Sequence, residues 1–234
     1  MDSTELADAA VANNASWCDA VCRSHGYPGT FGPRVWSSPL HRLRYYPHAI
    51  SLRPEVTEAE VLADAVPSQP FAVKDSFARL DLAPAGLRLL VEANWIGRAG
   101  DGPGEAPDDD GLSWRAVTSP GELSDWETAW ADGDDGDGPV FRPELLSDPR
   151  CAVLACRKGD EIVAGAIGYT ADGAVGISNL FSAGLPLDRT WVGARAAMTR
   201  LHPDLPLVGW EAGEDLAAAQ QAGFRVLGAL RVWV

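Results

Sequence analysis

Three apolar runs joined by two short turns constrain the second half of the chain more than any other feature. Ala152-Val153-Leu154-Ala155-Cys156 leads through the polar turn Lys158-Gly159-Asp160-Glu161 into Ile162 to Tyr169, and Ala171-Asp172-Gly173 then leads into Ala174 to Ser182. Turn residues at that spacing between apolar runs make an antiparallel meander. Ahead of it, Trp114 to Val117 reads as a short strand. Pro120 to Ala131 places Leu123, Trp126 and Trp130 at helical spacing. Behind it come a helix from Trp191 to Leu201 stopped by His202-Pro203, a strand from Leu205 to Trp210, a helix from Glu214 to Gln221 stopped by Gly223, and a terminal strand or pair from Phe224 to Val234. The expected class is α/β of the α+β type, a mixed and mostly antiparallel sheet flanked by helices.

The end of the first half follows the same order. Tyr45 to Leu52 reads as a strand, Thr57 to Ala65 as a helix, Phe71 to Phe77 as a strand, Asp81 to Ala85 as a helical turn and Leu87 to Ile96 as a strand. Ala85-Gly86-Leu87-Arg88-Leu89-Leu90, ending in Trp95-Ile96, matches Ala222-Gly223-Phe224-Arg225-Val226-Leu227, ending in Trp233-Val234. An internal repeat is expected, against the alternative of coincidence in an Ala/Gly/Leu-rich chain.

The net charge of −14 comes from 19 basic and 33 acidic residues, and its distribution matters more than its size. Residues 97–111 and 131–139 hold nine acids and one base, so they supply −8 of the total. The first of these is Gly, Pro and Asp with little to bury, and is expected to be a flexible linker. The expected organisation is therefore a truncated repeat over 1–96, a linker over 97–111 and a second domain over 112–234. The second acidic stretch is expected to be a loop, because its aspartates do not follow calcium-loop spacing. A surface this acidic repels a polyphosphate backbone, which sets aside nucleic acid as a partner.

No run of 18 apolar residues is present, so no membrane-spanning helix is expected. Met1 to Glu5 has neither the basic nor the apolar region of a signal peptide, and the four cysteines are spaced neither as zinc pairs nor as C-x-x-C. A cytoplasmic protein with reduced thiols is the expectation. The four histidines form no metal-binding pair, and no serine lies in G-x-S-x-G. The nine tryptophans are expected to serve packing.

The order of elements from Trp114 onward, with Ile177-Ser178-Asn179-Leu180-Phe181 on the third meander strand and Ala222-Gly223-Phe224 after an Ala-rich helix, resembles the GNAT superfamily of acyl-CoA-dependent N-acetyltransferases. The resemblance implies two GNAT-like repeats, the second of which takes acetyl-CoA or another acyl-CoA as co-substrate. It also implies that backbone N–H groups of Asn179, Leu180, Phe181 and Ser182 polarise the thioester carbonyl. The pyrophosphate would rest on the helix start around Arg189, Gly193 and Arg195, where unpaired N–H groups favour negative charge. Glu211 would be the base that deprotonates the incoming amine, with Glu214 and His202 behind it.

Two departures from the family pattern stand in the sequence. Aligning Gly193 with the central glycine of the pyrophosphate loop puts Thr190 where Gln or Arg is usual and Arg195 where Gly or Ala is usual. Ala219 occupies the position of the tyrosine that protonates the leaving sulfur in many members. Arg189 and Arg195 are accordingly either phosphate ligands or a solvated helix face. The expected activity is acyl transfer to an amine of a small molecule or peptide. The alternative is a catalytically inactive protein that uses the same fold for binding or interaction. The first half, whose helix begins with the capping box Thr57 to Glu60, is expected to be structural. Exposed strand edges would be covered by the other repeat or by a second copy, a homodimer.

Overall fold

A computed structural model of the chain describes residues 1–39, 43–66, 69–100, 111–133 and 138–234. Helix α1 (Ser3–Ser24) begins at Asp2, whose carboxylate accepts from the N–H groups of Thr4 and Glu5 while Glu5 accepts from the Asp2 N–H. This reciprocal cap satisfies donors that a helix start leaves open. Leu6, Ala10, Asn13, Trp17 and Val21 lie on its buried face. Short strands β1 (Thr30–Phe31), β2 (Val35–Ser37) and β3 (Ala49–Ser51) follow, then helix α2 (Glu58–Val61), strand β4 (Val73–Asp75), a 3-10 turn at Ala83–Ala85 and the long strand β5 (Leu89–Arg98).

The remaining elements are β6 (Leu112–Ala116), α3 (Pro120–Ala131), a 3-10 turn at Pro143–Ser147, the meander β7 (Cys151–Lys158), β8 (Glu161–Ala171) and β9 (Ala174–Ser182), then α4 (Leu187–Leu201), β10 (Leu207–Glu211), α5 (Gly213–Gln221) and β11 (Arg225–Trp233). The strands of the described residues join one mixed, mostly antiparallel sheet in the order β1-β2-β3-β4-β11-β5-β10-β9-β8-β7-β6. The meander and α3 stand where the sequence places them. The first-half elements are shorter than expected. Tyr45 to Leu52 yields only Ala49–Ser51, Thr57 to Ala65 only Glu58–Val61, and Phe71 to Phe77 only Val73–Asp75.

Read outward from β11 and β5, the sheet has matching sides. Those two strands pair antiparallel, each has an antiparallel outer neighbour (β4 and β10), and each neighbour has a parallel one beyond (β3 and β9). The matched sequences lie on this central pair. Gly86 and Gly223, which precede its strands, both take positive φ, 90° and 91°, a conformation glycine adopts without steric cost. Strand β5 runs to Arg98, two residues into the expected linker. Residues 101–110 of that linker and 134–137 of the acidic loop lie outside the described residues.

The core divides by face. On one face, α1 and α3 cover the sheet through Trp17, Trp126 and Phe141, continuing to Leu6, Ala10, Ala93, Trp95 and Val208. On the other, α4 and α5 bury Trp191, Met198, Ala219 and Phe224 against Ile96, Val175, Ile177 and Leu207. No helix among the described residues is long and apolar enough to cross a membrane.

Candidate active site

Strands β9 and β10 are parallel neighbours for only two residue pairs, Val175 with Leu207 and Gly176 with Val208. Gly209 lies so near the Ile177 carbonyl that a Cβ there would sit 2.9 Å from the oxygen. Beyond this point each strand follows its outer partner. β9 stays with β8 as far as Ser182 against Ala164, and β10 stays with β5 as far as Glu211 against Asn94. The two strands therefore splay and open a crevice through the sheet.

A bulge shapes one lip. Gly165 pairs with Phe181 and Ile167 with Ser178, so Ala166 alone stands opposite Asn179 and Leu180. Asn179 takes φ of 51°, the left-handed conformation that asparagine tolerates better than most side chains. A bulge re-aims the backbone groups of its strand. The Tyr46 hydroxyl stands 3.5 Å from Asn179 Oδ1, and burial pushes that phenol well above its usual range, so it stays a neutral donor.

Glu211 closes the other lip. It lies three residues beyond Val208, the last residue of β10 that pairs with β9. Alternation along β10 places Glu211 on the face of α4 and α5, together with Leu207. Its side chain is partly exposed, but crowding at the strand end withdraws the carboxyl from water. That burial, reinforced by Asp215 in the first turn of α5, pushes its pKa up to about 8. Glu214 is exposed in the same first turn, where a carboxylate complements the helix dipole. His202 caps the far end of α4, with its Nε2 3.4 Å from Thr170 Oγ1, and burial lowers its pKa.

The remaining expected site residues have varied surroundings. Phe181 turns its ring onto Trp126, 5.2 Å between centroids, so only its backbone is available to the crevice. The Ser182 hydroxyl donates to the Leu185 carbonyl and fixes the turn into α4. Helix α4 begins at Leu187 after Pro186, and the Thr190 N–H bonds to Pro186 O at 2.9 Å. The N–H groups of Leu187, Asp188 and Arg189 have no acceptor within the helix, and the Arg189 side chain is exposed beside them.

Gly193 lies deeper, at the seventh helical position. There its own N–H belongs to the helical ladder, and an added Cβ would overlap the Trp114 indole, so the residue makes room for packing. Arg195 donates from Nη1 to the Ala222 carbonyl at 3.2 Å and caps α5. Ala219 is fully buried in the α5 core, so no donor stands there.

Sequence reasoning missed the contribution of α1. Asn13 Nδ2 lies 2.9, 3.1 and 3.1 Å from the carbonyl oxygens of Tyr169, Ala171 and Ala174, so its two hydrogens are shared among three acceptors around the β8–β9 hairpin. With Asn14 and Trp17 it closes the α1 side of the crevice down to a cavity of about 10 Å³ bounded by Gly176, Ile177, Ser178, Val208 and Gly209. That is room for roughly one water. The Ser178 hydroxyl is buried there without a hydrogen-bond partner among the described residues. No group of three His, Cys, Asp or Glu suited to a metal ion occurs among the described residues.

No family model matches the sequence, and no curated protein matches it. Solved structures do match. A GCN5-related N-acetyltransferase from Kribbella flavida superposes with a TM-score of 0.65 at 14% identity, over 96% of this chain and 94% of its own. One from Sphaerobacter thermophilus gives 0.53 at 16% identity, over 97% and 92%. A GCN5-related N-acetyltransferase-like protein from Streptococcus suis gives 0.55 at 11% identity, over 89% and 88%. The similarity spans both halves of the chain in each case. The chain has the fold of the GNAT N-acetyltransferases.

Proposed function

We propose that the protein is an N-acyltransferase that moves an acyl group, acetyl in the simplest case, from acyl-CoA to an amine of a small molecule or peptide. The observation that carries this reading is the parting of β9 from β10 after two residue pairs, with the Asn179 bulge on one strand and Glu211 at the end of the other. Re-aimed N–H groups from Leu180 to Ser182 would donate to the thioester oxygen as it gains charge. A base with a pKa near the working pH is well matched to remove the proton of an attacking amine. The first-turn N–H groups of α4 and the Arg189 guanidinium would meet the pyrophosphate. Bound acyl-CoA supplies the activated carbonyl and the thiolate leaving group. With Ala219 at the place of the usual tyrosine, the sulfur would leave into water.

The two-repeat reading is supported by the matching strand order on either side of the β11–β5 pair. In it the first half is a structural partner that supplies α1 and Tyr46 to the crevice. Cytoplasmic location and the absence of a nucleic-acid partner belong to the same reading.

A second reading is favoured by Gly193 against Trp114, Arg195 against Ala222 and the buried Ala219. These three residues serve packing, as they would in a non-catalytic descendant that binds a ligand or partner with the GNAT fold. Turnover of acetyl-CoA with a panel of primary amines, read as released thiol, separates the two. Acetyl-CoA binding without thiol release for any amine selects the second.

A further inference from the structure

Among the described residues, five that are not glycine take positive φ, and two of them, Tyr45 at 68° and Asn179 at 51°, meet at the crevice through a shared neighbour. Asparagine tolerates that conformation. For a bulky aromatic residue it is an outlier, held only where the surrounding structure demands it, and such strain gathers at functional sites.

The turn at Tyr45 sends two consecutive tyrosines to different partners. Tyr45 stays outside, 62% exposed, with its ring 5.3 Å from that of Trp130 on α3 and nearly perpendicular to it. Tyr46 goes inward, 8% exposed, and packs with its ring 6.4 Å from Trp17 on α1. The Tyr46 N–H closes back on the Leu43 carbonyl at 3.4 Å. Residues 43–46 of the first half thus form a strap from α3 to the root of the crevice, where Trp17 lines the small cavity.

The strap ends in a hydroxyl. Tyr46 donates to Asn179 Oδ1 at 3.5 Å, the one side-chain hydrogen bond that Asn179 makes among the described residues. Asn179 is in the bulge of β9, and it is only partly buried, whereas the Tyr46 ring is fixed in the core. At this length the bond restrains the lip without locking it. Burial keeps the phenol protonated, so the donor is always present.

We propose that Tyr46 is a positioning residue: its hydroxyl, delivered from the first half by the strained turn at Tyr45, holds Asn179 at positive φ and so fixes the direction of the N–H groups that follow on β9. The inference rests on the acyl-CoA reading above, in which the N–H groups from Leu180 onward meet the thioester oxygen. Tyr46 touches neither substrate nor the reacting atoms, and no proton leaves it. Its contribution is to set the donors before charge develops, which is where such donors gain their effect.

The experiment compares the native full chain with Tyr46→Phe, which removes the hydroxyl and leaves the ring, and with Asn179→Gly, which removes the acceptor and keeps easy access to positive φ. One readout is the carbonyl stretch of bound acetyl-CoA, labelled with heavy carbon at the thioester carbon and followed by difference infrared spectroscopy. The other is thiol release with a panel of primary amines. The native protein should lower the stretch relative to free acetyl-CoA, and Tyr46→Phe should lower it less at an unchanged Kd. That variant should lose about three- to tenfold in kcat, the worth of one hydrogen bond, with the KM for the amine unchanged. Asn179→Gly should lose a similar amount, and adding Tyr46→Phe to it should cost nothing more.

A hydroxyl that serves stability alone would lower the Tm of Tyr46→Phe and leave the stretch and kcat at native values. That result, or additive losses in the double variant, overturns the proposal and spares the acyl-CoA reading. If Tyr46→Phe does not fold, Asn179→Gly decides: a native carbonyl stretch in that variant overturns the proposal. Absence of acetyl-CoA binding, or bound acetyl-CoA whose stretch does not move in the native protein, overturns the proposal and the reading it rests on.

Discussion

Asn13 and Gly176 meet so closely that any Cβ on Gly176 would overlap the Asn13 amide oxygen. A glycine on the parallel edge of β9 lets α1 press its asparagine into the root of the crevice, where the amide nitrogen serves three hairpin carbonyls. Replacing Asn13 by alanine leaves those buried acceptors without their donor, and should cost about 1–3 kcal/mol. Gly176→Ala should also destabilise, and by less in the Asn13→Ala background, because the overlapping group is gone. Thermal or urea unfolding of the two single variants and the double variant measures this coupling; strict additivity would show that the contact has no energetic weight.

Glu211 ties stability to pH. Its folded pKa of about 8 is raised above the ordinary carboxylate value, first by burial and then by Asp215. The folded state therefore holds this proton more tightly than the unfolded chain. The stabilisation is complete below the ordinary pKa and is lost as pH rises through about 8. Glu211→Gln should flatten that fall, and above pH 8 should raise Tm by about 2–4 °C if roughly 1 kcal/mol is involved. As a base, Glu211 should make turnover rise with pH through the same range. Its replacement by Gln should lower kcat on the order of 100-fold or more. Unchanged turnover in this variant would remove Glu211 from the chemistry.

The bulge can be tested apart from the side chain that forms it. Asn179→Gly retains easy access to positive φ, whereas Asn179→Val forces a β-branched residue there at a cost of roughly 1–3 kcal/mol. Acyl transfer should survive the first change better than the second. Equal loss in both would assign the effect to the Asn179 amide and its contact with Tyr46, and not to the backbone.

Within α4, packing and ligand contact should separate. Gly193→Ala should lower stability by about 1–3 kcal/mol, because the indole of Trp114 must move, and a folded fraction should bind acetyl-CoA as the native chain does. Arg189→Ala should weaken acetyl-CoA binding and change stability less than Gly193→Ala does. The reverse pattern would make Gly193 a ligand residue.

The second half was legible because its signals are local. Ala174 to Ser182 and Pro120 to Ala131 are bounded by turn and capping residues, and their structural limits coincide with those read from the sequence. The helix α1 was not legible. Its buried face mixes Leu6, Trp17 and Val21 with four alanines and the polar Asn13 and Asp19, so apolar periodicity is faint until the neighbouring hairpin is known. Tyr46 escaped for a related reason. It comes from a first-half segment, which the pairing of β5 with β10 and β11 brings to the crevice. Gly193 misled because a helical glycine reads the same whether its missing side chain admits a phosphate or a tryptophan.

The central claim, that the β9–β10 splay takes an acyl-CoA, is tested most directly by titrating acetyl-CoA into the native protein in a calorimeter and following Tm in the same solutions. The account predicts saturable heat, with stabilisation of about 2.7 kcal/mol when free ligand reaches 100 times Kd, a Tm rise of roughly 5–10 °C for a chain of this length. No heat and no change in Tm at millimolar acetyl-CoA would contradict it.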